Sequence, residues 1–339
     1  MALRKFDSPL FWESNLSESS NMSLPPILNQ LRIPVIASPL FIVSSKEMVL
    51  EQCKAGIVGS FPALNARGDG EFEKWLIFLN EEIDKHNQAN PDNPAAPYAV
   101  NQIVNRTNAR LHEDMELCVK YKVPIIITSL GAREEINEAA HSYGGIVLHD
   151  VINQTFARKA IQKGADGLIA VAFGAGGHAG NLSPFAMIQE IREWFDGPLA
   201  LSGCIATGGA VLAAQAMGAD LAYIGSSFIA TQEANAVEGY KNMVVDCNGD
   251  DIVYTNRFTG VHGNYLRPSV VAAGLDPDNL DVENPEIANF SKASKEGAKA
   301  WKDIWGCGQG IGAVDRIMTT AEKVNLLADE YFAARQKLA

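Results

Sequence analysis

The sequence predicts an α/β protein built as a (β/α)8 barrel, with a small, mostly helical domain inserted near its C-terminus. Three observations predict it. Eight short apolar runs alternate with helix-like segments between residues 33 and 224. The runs are continuous rather than alternating in polarity, as expected of strands buried on both faces of a parallel sheet. Loops rich in glycine and serine follow several of the runs, at the end of a barrel where ligands gather.

The first strand covers residues 33–38, and the helix at 46–55 turns Met48, Val49 and Cys53 inward. The second strand is 56–60, followed by a long helix over 71–86 with Phe72, Trp75, Leu76 and Leu79 on one face. A third strand (98–101), a helix (108–121) and a fourth strand (125–128) come next. The fifth strand (146–149), a helix (155–163) and the sixth strand (167–171) continue the alternation. A helix at 184–195, the seventh strand (199–202), a helix at 207–217 and the eighth strand (221–224) complete it. Eight such units in about 200 residues fit a closed TIM barrel better than an open doubly wound sheet. No G-x-G-x-x-G turn follows an early strand, as a dinucleotide-binding sheet would show.

Residues 1–21 read as a polar, aperiodic arm or extension, without the basic and apolar segments of a signal peptide. The barrel occupies 22–234. An insertion follows at 235–310, with turn-rich stretches such as Asp276-Pro277-Asp278-Asn279 and a helical piece over 286–299. The segment 311–339 carries a last helix over 314–338, with Ile317, Ala321, Val324, Leu327 and Ala328 on the face that returns to the barrel.

Composition narrows the function. The 339 residues are 47% hydrophobic, enough for a large core, and carry a net charge of −12. Lys and Arg are scattered along the chain with no concentrated stripe, so a nucleic-acid partner is not expected. No apolar run reaches the roughly 18–20 residues of a membrane span. Cys53, Cys118, Cys204, Cys247 and Cys307 form no C-x-x-C pair, which suggests a reducing, cytoplasmic setting and cysteines that act as small apolar residues. No metal site is expected, since His141 and His149 have no cluster of further ligands around them in sequence.

One loop stands out for chemistry. After the sixth strand comes Gly174-Ala175-Gly176-Gly177-His178-Ala179-Gly180, whose glycines permit positive φ and close backbone approach to a ligand. His178 in its middle is the one side chain there that exchanges protons near neutral pH, hence the candidate catalytic residue. Ser202-Gly203-Cys204 after the seventh strand and Gly225-Ser226-Ser227 after the eighth occupy the positions where barrels of this kind often bind phosphate through backbone N–H groups. Ser38-Pro39-Leu40 ends the first strand and Asn101 the third, the latter with an amide able to donate to and accept from a heterocycle.

At these residues the chain resembles the nitronate monooxygenase family, formerly 2-nitropropane dioxygenases. The resemblance runs from about residue 33 to 230, with weaker support at Trp305-Gly306-Cys307-Gly308-Gln309-Gly310. Its most specific element is Ala175-Gly176-Gly177-His178-Ala179-Gly180, against the family's A-G-G-H-x-G loop. It implies an FMN-containing barrel with the insertion covering the flavin, and O2 with a small molecule as substrates. Ser38, Pro39, Leu40, Asn101, Asp150 and Val171 would then face the isoalloxazine ring. Gly176, Gly177, Ser202, Gly203, Cys204, Gly225 and Ser226 would surround the ribityl phosphate. His178 would act as base for a neutral nitroalkane or as hydrogen-bond partner of a nitronate, and Gln309 would lie at the cavity edge. A homodimer is compatible with this reading.

The chain departs from the family pattern in places. Gly203-Cys204 stands where relatives often have Gly-Gly, and Gly225-Ser226 where they have Gly-Thr. Val171 replaces a Gln or Asp, Gly174 replaces an acidic residue, and Asp150 stands where a related quinone reductase places Lys. The expected reaction is oxidation of alkyl nitronates by O2 to carbonyl compounds and nitrite. The rivals are an NAD(P)H-dependent quinone or enoyl-thioester reductase on the same barrel, a flavin-free lyase or isomerase of phosphorylated substrates, and a non-catalytic flavin-binding module.

Overall fold

In the computed structural model, which describes residues 24–280 and 304–339, the eight apolar runs form eight parallel strands. They are β1 (Val35–Ala37), β2 (Gly59–Pro62), β3 (Tyr98–Ile103), β4 (Ile125–Ser129), β5 (Ile146–Val151), β6 (Gly167–Val171), β8 (Leu199–Ser202) and β9 (Leu221–Ile224). The two-residue β7 (Gly177–His178) belongs to a separate sheet. β1 pairs with β9, and the sheet continues through β8, β6, β5, β4 and β3 to β2. A bridge between Ile36 and Val58, with Ala37 N donating to Val58 O, brings β2 back to β1 and closes the barrel.

Local sequence sets the helix starts. Ser45 caps α2 (Lys46–Lys54) by accepting from Met48 N, Asn153 caps α6 (Gln154–Gln162) by accepting from Phe156 N, and Thr207 caps α8 (Gly208–Ala216) by accepting from Ala210 N. Between them lie α3 (Glu71–Ala89), α4 (Leu111–Lys120), α5 (Glu134–His141) and α7 (Pro184–Arg192). Their apolar faces pack on the outside of the strands. Inside the barrel, Ile36, Val58, Ala99, Ile127, Leu148 and Leu221 meet Leu28 of the short α1 (Pro26–Asn29), which plugs the N-terminal end.

After β9 come α9 (Ser226–Ile229), α10 (Glu238–Asp246), β10 (Ile252–Thr255), β11 (Gly263–Leu266) and α11 (Arg267–Ala272). Beside its helices, the described part of the insertion thus holds a small antiparallel sheet that the sequence pattern did not reveal. β11 pairs with β10 on one side and on the other with β7 of the barrel's glycine loop. The last helix, α12 (Thr320–Leu338), packs on α8 and α2, in the eighth helical position of the barrel. It starts six residues later than the periodicity suggested. A capping box between Thr319 and Glu322 fixes its start and leaves Ile317 outside. The arm at 1–21 and the helical piece at 286–299 lie outside the described residues.

Several strand ends also differ from the sequence reading: β2 spans Gly59–Pro62 rather than 56–60, and β4 runs on to Ser129. β3 runs on to Ile103, so Asn101 sits within the strand, and β5 runs on to Val151, so Asp150 is a strand residue as well. Both extensions are held by ladder pairs, Ile103 opposite Ser129 and Val151 opposite Ala170.

Candidate active site

Side chains alternate along a strand, so the next inward residue is two further on. Moving towards the C-terminal ends of the strands, Ile36 gives way to Ser38, Val58 to Ser60, Ala99 to Asn101 and Ile127 to Ser129. Leu148 gives way to Asp150, Ala200 to Ser202 and Leu221 to Tyr223, while Ile169 is followed by the apolar Val171. An apolar plug is thus topped by a polar ring, and above the ring opens a cavity of ≈ 880 Å³.

The ring is internally bonded. Asn101 Nδ2 donates to Ile127 O (3.1 Å) and to Ser129 Oγ (2.7 Å), and Ser60 Oγ donates to Ala37 O. Burial pushes the Asp150 carboxyl up to about 6, partly offset by its hydrogen bond with Ser129. Tyr223, raised by burial and by the adjacent Asp150, hydrogen-bonds Ser38. His149 points away from this ring. Its Nδ1 lies 2.6 Å from Thr128 Oγ1, and burial holds the imidazole down to about 4.

His178 and all the residues expected around the cofactor line the cavity. Ser38, Pro39 and Leu40 follow β1, Asn101 and Asp150 stand in β3 and β5, and Val171 ends β6. Gly176, Gly177 and His178 form one wall. Ser202, Gly203 and Cys204 form a second, with Gly225 and Ser226 beside them. Gln309 does not reach the cavity surface as the sequence reading had it. Its side chain packs behind Gly174 and Cys204, and only its neighbours Gly308 and Gly310 line the space.

The glycine loop is sewn to the insertion by backbone. Gly177 and His178 pair with Asn264 and Gly263, Asn264 Nδ2 donates to Ala175 O (2.7 Å), and Gln309 N donates to Gly174 O (2.9 Å). Gly308 N donates to Ser226 Oγ (2.8 Å). A Cβ on Gly176 would stand 2.8 Å from both Gly308 N and Ser226 Oγ, so only glycine allows this approach. Thr259 Oγ1, in the insertion, lies 3.0 Å from His178 Nε2 and donates to Val261 O. Burial holds His178 down to about 4, so at neutral pH the ring is uncharged.

Two departures from the family pattern prove to be one. A Cβ at Gly174, which has φ +82°, would fall 2.3 Å from Cys204 Sγ. The thiol therefore occupies the space that a side chain at 174 would need. Cys204 accepts a positive φ of 58° to stand there, a conformation that glycine adopts without strain.

Sequence reasoning missed Ser60, Ser129, Tyr223 and Thr259. The first three were legible in principle, because each lies two residues beyond an apolar inward residue in its strand. Thr259 carried no signal, since only the folded insertion brings it to the loop.

The donor set suits a phosphorylated cofactor. Among the described residues, the amides of Gly176, Gly203, Cys204, Gly225 and Ser226 find no acceptor in the protein, and all five residues line the cavity. Ser227 Oγ is buried there without a hydrogen-bond partner. Unmet donors clustered at the ends of β6, β8 and β9 form an anion cradle, and the adjoining cavity has the size of a cofactor site.

Fold and site together define a barrel whose C-terminal mouth offers unmet amide donors to an anionic group beside a half-buried, neutral imidazole. The chain belongs to the nitronate monooxygenase family, whose model matches residues 75–330, and is thus an oxidoreductase of a flavin-dependent family. A nitronate monooxygenase of Paraburkholderia phytofirmans is 24% identical over 358 residues, covering 92% of this chain and 96% of that protein. Against other curated relatives the chain spans only about three-fifths of their length, 61% and 63% in two cases. FabK from Thermotoga maritima superposes with a TM-score of 0.76 at 22% identity, covering 92% of this chain and 96% of that one. A nitroalkane oxidase from Streptomyces ansochromogenes superposes with a TM-score of 0.73 at 21% identity, covering 92% and 99%. Both likenesses speak for the fold. No helix among the described residues is long and apolar enough to cross a membrane.

Proposed function

We propose that the protein is an FMN-dependent nitronate monooxygenase that converts alkyl nitronates and O2 to carbonyl compounds and nitrite. The observation that carries this reading is the neutral His178 lining the same cavity as the unmet amides of the anion cradle. The amides of Gly176, Gly203, Cys204, Gly225 and Ser226, with the Ser227 hydroxyl, would hold the phosphate. The polar ring below would face the isoalloxazine. The cradle is closed by the stretch around Gly310, where a Cβ would stand 2.9 Å from the Cys204 carbonyl carbon; this favours a terminal phosphate, and so FMN over FAD.

A flavin bound there would supply the electron acceptor that no side chain offers. The protein's part is positioning. Thr259, whose own proton goes to Val261 O, accepts from His178 Nε2–H and so orients the neutral ring beside the substrate, and the apolar Val171 leaves that side of the ring without a competing charge. An imidazole held down to about 4 is a weak base, which favours a preformed nitronate over a neutral nitroalkane. The same reading sets the reaction in the cytoplasm, with a small molecule and O2 as its substrates.

The test is aerobic nitrite release from propionate 3-nitronate, run beside anaerobic mixing with NADH and NADPH. Nitrite formation without either nucleotide supports the proposal. No nitrite, together with rapid bleaching of the flavin by NAD(P)H, would overturn it in favour of a reductase.

A further inference from the structure

Lys323 is a buried cation that the chemistry at the barrel mouth leaves unused. It stands in the first turn of α12, on the face that also buries Thr320, Val324, Leu327, Ala328 and Tyr331. Only 3% of it is exposed, at a position where packing alone would select an apolar side chain. Its Nζ donates to Ala206 O (3.2 Å) and forms no ion pair among the described residues. Burial pushes the ammonium down from its ordinary value; Glu330 and Asp315 oppose that shift and Arg316 adds to it. A charge carried inward without a paired anion is unfavourable unless another charge compensates it.

The loop that Lys323 holds is a wall of the active site. Residues 202–206, between β8 and α8, line the cavity along their whole length. Behind them, Lys323 bears on Ala206 and Glu330 Oε2 accepts from Gly208 N (2.7 Å), so α12 grips the loop from outside the cavity. Lys241, also buried, has its Nζ on Gln232 O instead, which is no part of the cavity wall. On the cavity side the 202–206 loop offers the unmet amides of Gly203 and Cys204. Those donors are neutral. Among the described residues, Lys159 is the only Lys or Arg in the cavity wall. It belongs to α6, which follows β5, whereas the cradle lies at the ends of β6, β8 and β9. A doubly charged phosphate in the cradle thus meets donors but no cation in the wall beside it.

We propose that Lys323 is the counter-charge of the anion cradle, acting through the loop backbone and making the site select a doubly charged phosphate terminus over an uncharged one. Coulomb attraction is weakly screened in the protein interior, so the ammonium acts on the cradle's occupant without touching it. Lys323 is a specificity-determining residue in this scheme, and the scheme rests on the cradle being a flavin phosphate site.

The test uses the full-length protein reconstituted with FMN or with riboflavin, the same ring system without the phosphate. Both dissociation constants are read at pH 7 from flavin fluorescence across a dilution series. Lys323→Met keeps the apolar stem and removes the charge. It raises the Kd for FMN about tenfold or more and leaves that for riboflavin unchanged. Glu330→Gln still accepts from Gly208 N and removes a negative charge facing Lys323, so the preference for FMN over riboflavin rises about twofold. A merely structural lysine would move both flavins alike, and loss of folding cannot give the two variants opposite signs. Equal weakening of both flavins in Lys323→Met, or an unchanged preference in both variants, overturns the proposal. If Lys323→Met does not fold, the sign in Glu330→Gln decides alone. A wild type that holds riboflavin as tightly as FMN would instead sink the phosphate reading of the cradle, and this proposal with it.

Discussion

His178 Nε2 lies 3.0 Å from Thr259 Oγ1, across 81 residues of chain, so the ring in the barrel's glycine loop takes its orientation from the insertion. The β7–β11 pairing holds the two backbones together at the same place, with His178 opposite Gly263. Removing each partner has a separable effect. His178→Asn keeps the flavin but lowers nitronate turnover at least about a hundredfold. Thr259→Val, which keeps the shape and removes the hydroxyl, lowers it about five- to tenfold, the worth of one hydrogen bond. Steady-state nitrite release with flavin content measured in parallel checks both. Wild-type turnover by His178→Asn would refute the role given to the ring.

Gly174 and Cys204 form a coupled pair, because the Cys204 thiol fills the space a side chain at 174 would take. Gly174→Asp alone destabilises the protein and lowers flavin retention. Cys204→Gly alone is tolerated, since it relieves a positive φ. Combined, the two changes restore much of what Gly174→Asp loses, with a coupling of about 1–2 kcal/mol in a double-mutant cycle of thermal or denaturant unfolding. Additive effects would contradict the pairing.

Asp150 is the group from which a pH dependence of substrate binding is expected. With its carboxyl raised to about 6, it is protonated at pH 5 and ionised at pH 7.5, where its charge repels an anionic substrate. The KM for propionate 3-nitronate therefore rises roughly tenfold over that interval. In Asp150→Asn the KM stays flat. His178, neutral throughout this range, leaves the trend to Asp150.

His149 and His178, both held down by burial, are expected to contribute to acid sensitivity, and His149 tests this away from the proposed chemistry. Its pKa in the folded protein is depressed to about 4 from 6.5, so the stabilisation it contributes is full above pH 6.5 and is lost as pH falls towards 4. The depression corresponds to about 3 kcal/mol. Denaturant unfolding at pH 7 and at pH 4 shows a smaller difference in His149→Asn than in wild type, by an amount of that order. An unchanged difference would place the acid sensitivity elsewhere.

Much of this protein is legible in its sequence. The eight strands follow from continuous runs of Ile, Val, Leu and Ala such as 125–128 and 167–171, which have to be buried on both faces. The cavity-lining loops follow from glycine and small residues just beyond the strands, because only such residues permit the backbone approach seen at Gly176. The polar ring follows from the two-residue period, although its regularity shows only once all eight strands are aligned.

Other features depend on distance in the folded chain. Periodicity acts over a few residues, so it could not show that β11 pairs with the glycine loop or that Thr259 meets His178. Composition could not show that Gly174 makes room for Cys204. Lys323 and Ala206 are 117 residues apart, and only the return of α12 to the barrel places the ammonium behind the cavity wall. The sequence by itself determined the barrel and the glycine loop that carries His178. The tertiary structure decided what orients that histidine and which side chains share its cavity, since hydrogen bonds and contacts depend on separation in space.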